Sequence, residues 1–230
     1  MRVAIIIARG GSKRIPRKNV KPFAGQPMIL YPIRVALKTP LFDEVFVSTD
    51  DDEIAAISMK AGAMVPFKRP ASLADDHATT LQVMGHAVRY LLEHDAPLEA
   101  ACCIYPCTPF LEREELEAGY REMVAKAKAY ALPVLKYSPA VQRALVLDEA
   151  NTVKMGAPEH QSTRTQDLQP RWYDAGRWYW GTRAAWSTEA SIFEGLAVAI
   201  PSDRDHGIDI DTPEDWELAE TLYRMREAAP

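Results

Sequence analysis

The chain begins with an apolar run, residues 3–8, that stops abruptly at a loop of glycines and basic residues. Six consecutive apolar residues (VAIIIA) are typical of a strand buried on both faces of a sheet. Parallel strands of this kind are covered by helices on each side. The run therefore favours an α/β fold with a mostly parallel sheet and helices on both faces.

The same alternation of strand-like and helix-like segments continues along most of the 230 residues, which is a usual length for one large domain. Apolar periodicity predicts helices, and short apolar runs between them predict strands. The predicted strands are residues 2–8, 44–48, 64–66, 100–105, 130–135 and 196–201, and the predicted helices are 28–38, 51–61, 79–94, 113–129 and 213–228.

The alternation breaks after Lys136, and residues 137–190 have no strong helical period. Five aromatic residues crowd into nine positions there, and alternate residues around Tyr179 and Gly181 indicate a short strand. Two interpretations stay open. The aromatic cluster closes the core under a long excursion, or it faces a partner, since aromatic residues and Arg favour interfaces.

The loop after the first strand, ARGGSKRIPRKN from residue 8, combines two glycines with a cluster of cations. Glycines let the backbone approach a ligand and direct N–H groups towards it. The cations cannot all be buried unpaired, because an uncompensated buried charge is costly. The combination favours polyphosphate binding, with an ordinary solvated loop as the alternative. The spacing matches neither a P-loop nor a GxGxxG turn.

A second signal lies near the other end of the chain, in IDIDTPEDW from residue 208. Asp209 and Asp211 are two positions apart, so in an extended segment they share a face. Paired carboxylates repel unless a cation lies between them, and Mg²⁺ is held by one or two carboxylates with waters and phosphates completing its shell. Capping of the final helix is the alternative. It accounts for Asp211 or Thr212 before Pro213, but not for Asp209.

Composition limits the class of protein. The formal net charge of -5 argues against binding to nucleic acid, which needs a cationic face. No apolar run reaches the length of a membrane span or signal segment, so the expected location is the cytoplasm. Three cysteines lie within residues 102–107 and lack the spacing of a zinc site, so we interpret them as small core residues. The sequence offers no clear general base; His206 lies near Asp209, and a surface position for it is equally open.

Five motifs resemble, in order along nearly the whole chain, the cytidylyltransferases that activate acidic nine-carbon sugars. They are ARGGSKRIPRKN, VSTDD, RPASLADD, YPCTPFL and IDIDTPEDW. Three further stretches, VQRAL, STRTQDL and YDAGRWYWG, are most similar to the branch of this family that acts on pseudaminic acid. Each motif alone is weak, and together they are specific.

The resemblance implies a Rossmann-like nucleotidyltransferase sheet in one domain spanning residues 1–230, and a homodimer. An inserted excursion at about 137–181 would form the dimerisation lobe and reach towards the neighbouring subunit's sugar site. The implied reaction joins CTP and the free sugar acid to give the CMP-sugar and pyrophosphate, with the anomeric hydroxyl attacking the α-phosphate. The implied cofactor is Mg²⁺.

The resemblance also implies roles for individual residues. Arg9, Lys13 and Asp211 match catalytic positions, and Asp209 and Asp211 match the Mg²⁺ ligands. Nucleotide contacts fall on Ala8, Arg9, Gly10, Gly11, Ser12, Lys13, Lys18, Asn19, Arg69 and Thr80. Sugar contacts fall on Arg143, Arg164 and Gln166, where a guanidinium suits a carboxylate because it can bind in a bidentate fork.

Two departures bear on the sugar. Tyr105 and Ala175 stand where sialic acid enzymes commonly carry Gln and Asn. The resemblance places both positions at the sugar pocket, so they disfavour sialic acid, and the three stretches above make pseudaminic acid the expected substrate. Sialic acid, keto-deoxyoctulosonate and a non-catalytic nucleotide-binding regulator on the same scaffold are the alternatives.

Overall fold

The computed structural model describes residues 1–203 and 208–228. Its main sheet has five parallel strands and two antiparallel ones. The strands are β1 (Arg2–Ile7), β2 (Glu44–Ser48), β3 (Ala100–Ile104), β4 (Tyr130–Lys136), β5 (Trp172–Asp174), β6 (Trp178–Thr182) and β7 (Ala197–Pro201). Their order is β7-β4-β6-β3-β1-β2, with β5 also paired to β4.

Six α-helices accompany the sheet within the described ranges, and they are α1 (Leu30–Lys38), α2 (Asp52–Lys60), α3 (Thr80–Glu93), α4 (Arg113–Ala125), α5 (Arg183–Ser187) and α6 (Pro213–Glu227). Alternate residues of β1 enter different core layers. Ile6 packs in the layer that contains residues of α1 and α4, whereas Ile5 packs in the layer that contains residues of α3 and α5. The predicted mostly parallel sheet with helices on both faces is confirmed. No described helix combines the length and apolarity that a membrane crossing requires.

Two predicted elements differ from the structure. Residues 64–66 do not form a strand; Met64 makes only an isolated parallel bridge with Phe46, and Pro66 has no N–H with which to extend a ladder. Helix α4 ends at Ala125 rather than at residue 129. Ala127 adopts φ +48, a left-handed conformation that cannot continue a right-handed helix.

The aromatic cluster belongs mainly to the core. Trp178 and Trp180 are fully buried in β6, which runs antiparallel between β3 and β4. Trp172, in β5, is 46% exposed, so the cluster divides between core and surface. Cys102 and Cys103 are buried in β3 as predicted, whereas Cys107 is only partly covered and borders a cleft.

The excursion between β4 and β5 carries a two-stranded hairpin, Leu145–Leu147 paired with Val153–Met155. Short 3-10 turns flank it at Val141–Arg143, Pro158–His160 and Thr165–Asp167. All three residues of the first hairpin strand are exposed, so this hairpin contributes little to the core of its own chain.

Candidate active site

A cleft of about 620 Å³ opens beyond the carboxyl ends of β1 and β3. Ligands of open α/β sheets bind at this position, because loops from neighbouring strands converge there. Ten of the residues that the sequence predicts for nucleotide or metal line the cleft. They are Arg9, Gly11, Ser12, Lys13, Lys18, Asn19, Arg69, Thr80, Asp209 and Asp211.

The two ends of the chain meet here because they share a small core cluster. Ile15, within the glycine loop, and Ile210, between the paired carboxylates, are both 1% exposed and pack with Trp216 of α6. The Nζ atom of Lys21 lies 4.4 Å from the centre of the Trp216 ring, a cation–π contact that further joins the loop to α6. The burial of these apolar side chains thus places the basic glycine loop beside the segment that carries the paired carboxylates.

The glycine loop is anchored from behind. Gly10 directs its N–H away from the cleft and donates it to Oδ1 of Asp50 at 3.0 Å. A Cβ atom on Gly10 would lie 2.7 Å from Oδ2 of Asp51, so the close approach excludes a larger residue. Ala8 is fully buried, and neither Ala8 nor Gly10 lines the cleft. The family resemblance had predicted nucleotide contacts at both residues. Both residues shape the loop instead.

Asn19 holds the loop from its other end. Its Nδ2 donates to the carbonyl oxygen of Arg9 at 2.8 Å, and its Oδ1 accepts the Sγ–H of Cys107 at 3.4 Å. Burial raises the pKa of Cys107 to about 12, so this thiol is neutral and available as a donor. Asn19 thereby connects the glycine loop to the turn after β3.

Carboxylates face the basic residues across the cleft. Asp76 pairs with Nη1 of Arg9 at 2.8 Å and also contacts Lys13, and Asp211 pairs with Nη2 of Arg14 at 2.8 Å. Lys13 and then Arg9 lower the pKa of Asp76 by stabilising its anionic form. Sequence reasoning assigned no role to Arg14 or Asp76. Their positions in the ARGGSKRIPRKN and RPASLADD motifs were the available signal.

Arg69 is buried in the wall of the cleft and is only 5% exposed. Its Nε donates to Oγ of Ser48 at 3.0 Å, and its Nη2 donates to the Ser48 carbonyl oxygen. Burial lowers the pKa of Arg69 to about 10, which leaves it positively charged at neutral pH. Its guanidinium is thus a fixed cation on the inner wall.

Thr80 and Tyr105 form the opposite inner wall, with their hydroxyl oxygens 2.6 Å apart. Thr79 caps α3 and leaves the Thr80 side chain directed to the cleft. The Tyr105 ring lies 5.7 Å from that of Tyr179, whose hydroxyl donates to Asp174 at 2.5 Å. Burial raises the pKa of Tyr105 to about 12, so the phenol stays neutral.

The paired carboxylates have the chemistry of a magnesium site. Removal from water and the like charge of Asp211 both raise the pKa of Asp209, as expected for two carboxylates held close together. Among the described residues no group of three or more His, Cys, Asp or Glu is arranged to hold a metal. Two carboxylates fit an ion whose remaining ligands are water and phosphate oxygens. His206 and Gly207, beside this segment, lie outside the described residues.

The three residues predicted to bind sugar lie on the excursion and do not line this cleft. Arg143 donates to the carbonyl oxygen of Thr163 at 2.7 Å, and Arg164 pairs with Asp167 at 2.8 Å. Gln166 is exposed in the adjacent 3-10 turn.

Comparison with known proteins identifies relatives of this chain. A family model described as cytidylyltransferase matches residues 3–177. The pseudaminic acid cytidylyltransferase of Campylobacter jejuni serotype O:2 is 38% identical over 97% of this chain and 96% of its own length. The CMP-N,N'-diacetyllegionaminic acid synthase of Legionella pneumophila is 30% identical over 99% of this chain and 98% of its own length.

The fold is similar to that of solved nucleotidyltransferases. The structure of CMP:2-keto-3-deoxy-manno-octonic acid synthetase complexed with CTP superposes with a TM-score of 0.72 at 19% identity, and the match covers 98% of this chain and 99% of that one. This likeness confirms the predicted Rossmann-like nucleotidyltransferase architecture. The family match over residues 3–177 and the full-length similarity to a curated cytidylyltransferase establish that the chain belongs to the cytidylyltransferase family, whose members are CTP-dependent nucleotidyltransferases.

Proposed function

We propose that this enzyme transfers the cytidylyl group of CTP to pseudaminic acid. The anomeric hydroxyl oxygen attacks the α-phosphorus, the bond from that phosphorus to the bridging oxygen breaks, and pyrophosphate leaves with CMP-pseudaminic acid as the other product. The observation that carries the proposal is one cleft lined both by the basic residues Arg9 and Lys13 and by the paired carboxylates Asp209 and Asp211. The full-length similarity to pseudaminic acid cytidylyltransferases supports the sugar.

Arg9 and Lys13 would bind the triphosphate and stabilise the charge that develops on the departing pyrophosphate. Electrostatic stabilisation and positioning account for most of the catalysis in phosphoryl-type transfer. Gly11 and Ser12 border the same part of the cleft, where a backbone free of bulky side chains permits close approach of phosphate oxygens. Lys18 and Asn19 also line the cleft and would be further nucleotide contacts.

Asp209 and Asp211 would hold Mg²⁺. When bound, the ion would neutralise phosphate charge and lower the pKa of a coordinated hydroxyl. Asp211 also pairs with Arg14, so the residue would stand between the metal and the basic loop. Arg69 and Thr80 lie deeper in the cleft and would contact the cytidine portion of CTP.

The excursion supports a homodimer. Leu145, Val146 and Leu147 are 57%, 59% and 59% exposed on one hairpin strand, and Val153 on its partner strand is 54% exposed. A group of exposed apolar side chains of this kind marks protein interfaces. We infer that the hairpin packs against a second copy of the chain. Arg143, Arg164 and Gln166 lie on the same excursion, outside their own cleft, and would complete the sugar site of the neighbouring subunit.

Pyrophosphate release from CTP tests the function directly. The purified protein with Mg²⁺ and CTP would be supplied with pseudaminic acid, sialic acid or keto-deoxyoctulosonate, and kcat/KM compared. We expect pseudaminic acid to give the highest value and Arg9→Ala to lose most of that activity. Preference for another sugar would overturn the substrate assignment. Release with none of the sugars would overturn the enzyme proposal and favour a nucleotide-binding regulator. We place the reaction in the cytoplasm, where CTP is formed.

A further inference from the structure

The turn between β2 and α2 contacts both groups of proposed nucleotide ligands without lining the cleft itself. Oδ1 of Asp50 accepts the N–H of Gly10 at 3.0 Å, on the reverse side of the glycine loop. Arg69 lines both the cleft and a second cavity of about 570 Å³, and Asp50 borders that second cavity. Asp50 thus lies behind the two structures that face the ligand.

Asp50 also lies near the buried guanidinium of Arg69, since both residues border the second cavity. The Arg69 side chain makes its hydrogen bonds to the neutral oxygens of Ser48, so these bonds leave its charge uncompensated. Burial lowers the pKa of Arg69, and the charge of Asp50 acts in the opposite direction. A nearby carboxylate is what a cation in this position requires, because an unpaired buried charge is strongly destabilised.

Neighbouring residues make the turn rigid enough for this role. Asp51 caps α2 by accepting the N–H groups of Glu53 and Ile54, and it pairs with Arg17 of the glycine loop at 2.5 Å. Thr49 accepts the N–H of Asp51 at 3.2 Å, and its carbonyl oxygen accepts the N–H of Arg69 at 2.8 Å. The backbone on either side of Asp50 is therefore fixed to the helix, to the loop and to Arg69.

We propose that Asp50 is a positioning residue that sets the glycine loop and Arg69 in register for CTP, an inference that rests on the proposed function. Its carboxylate fixes the direction of the Gly10 peptide, and with it the neighbouring Arg9 side chain. The same carboxylate borders the second cavity together with Arg69 and favours the charged form of its guanidinium. Asp50 does not touch CTP.

Steady-state kinetics of Asp50→Ala, Asp50→Asn and Asp52→Asn test the proposal. Asp52 is the matched control, because its side chain is 88% exposed and pairs with Lys68 on the surface. Loss of a hydrogen bond and a charge contact predicts that Asp50→Ala raises the KM for CTP about tenfold, with kcat changed by less than about threefold. Asp50→Asn keeps an oxygen acceptor for Gly10 and is expected to raise KM only about threefold. Asp52→Asn is expected to match the wild type.

An unchanged KM in Asp50→Ala would overturn the positioning role, and equal losses in Asp50→Ala and Asp50→Asn would overturn the part assigned to Gly10. Trypsin provides a readout that needs no turnover, because the loop contains five Lys or Arg residues in positions 9–18. We expect faster cleavage of this loop in Asp50→Ala than in Asp52→Asn, at equal thermal stability measured by circular dichroism. Absence of turnover in the wild type would contradict the proposed function. An unchanged rate of loop cleavage in Asp50→Ala would contradict the positioning role of Asp50.

Discussion

Arg9 and Asp76 form an ion pair across the cleft, with 2.8 Å between Nη1 and Oδ1. Lys13 contacts the same carboxylate, and Arg9 also donates to the carbonyl oxygen of Asp75 at 2.8 Å. The two cations proposed to bind triphosphate therefore both contact the carboxylate of Asp76. A triphosphate has to replace Asp76 before it can contact both cations.

Asp76→Asn is expected to tighten CTP binding, because it removes this internal competitor for Arg9 and Lys13. Exposed ion pairs contribute up to about 1 kcal/mol, which corresponds to a decrease in Kd of at most about fivefold. Isothermal titration calorimetry at fixed ionic strength measures the change. Glu194→Gln, an equal change of charge at an exposed position outside the cleft lining, is the control. Weaker binding by Asp76→Asn would contradict competition.

Asp211→Asn is expected to reduce kcat at saturating CTP and to raise the Mg²⁺ concentration for half-maximal activity about tenfold or more, because one of two carboxylate ligands is lost. A magnesium titration of the pyrophosphate release rate measures both effects. Asp95→Asn is a suitable control, since Asp95 is exposed and its φ of +55 is a conformation that Asn tolerates. An unchanged titration in Asp211→Asn would refute the metal assignment.

Val146→Glu is expected to shift the protein towards a monomer of 25.7 kDa, because a charge in an apolar interface is left without a partner. Light scattering after size-exclusion chromatography reports the mass. Phe193→Glu is the control; Phe193 is 71% exposed and lies outside the excursion. If the excursion also completes the neighbour's sugar site, the KM for sugar rises more than the KM for CTP. A dimer that persists in Val146→Glu would exclude the hairpin as the interface.

Asp51→Asn is expected to lower the melting temperature at pH 7 and to have a diminishing effect in acid. The Arg17 guanidinium, followed by the N–H of Ile54 at the start of α2, holds the pKa of Asp51 below its ordinary value of 3.8. A lowered pKa contributes stability that is present above the ordinary value and is lost as pH falls through the folded-state value. Asn still caps a helix, so the difference isolates the charge. Melting curves measured at pH 7 and at a pH below about 4, the ordinary pKa of an aspartate, test this expectation. A difference in melting temperature between Asp51→Asn and the wild type that increased in acid would contradict this assignment.

Gly119→Ala is expected to destabilise the fold by about 1–3 kcal/mol, the usual cost of overpacking a core. A Cβ atom there would collide with the ring of fully buried Trp178. On an exposed helix the same change would stabilise by nearly 1 kcal/mol, so the sign of the effect is diagnostic. Urea unfolding measures it, with Arg121→Ala on the exposed side of α4 as the control. A more stable Gly119→Ala would contradict the close packing.

Much of the architecture could be predicted because it depends on local pattern. Apolar periodicity is a property of neighbouring residues, and it located each of the longer helices and most parallel strands within a few residues. The chemical groups that line the cleft could also be predicted from the sequence, since the basic glycine loop and the paired carboxylates are short motifs. The prediction of a strand at residues 64–66 was wrong, because three residues that end in a proline are too few to distinguish a strand from a loop with a single β-bridge.

Other features depended on contacts between residues far apart in the chain. The sequence by itself determined most of the elements outside the excursion, the basic glycine loop, the carboxylate pair and the family. Only the tertiary structure decided that β6 is inserted antiparallel between β3 and β4, that Gly10 is directed to Asp50, and that Asp76 pairs with Arg9. Strand insertion and side-chain pairing are set by burial and charge compensation across the whole fold, and these energies are not encoded in any short window of residues.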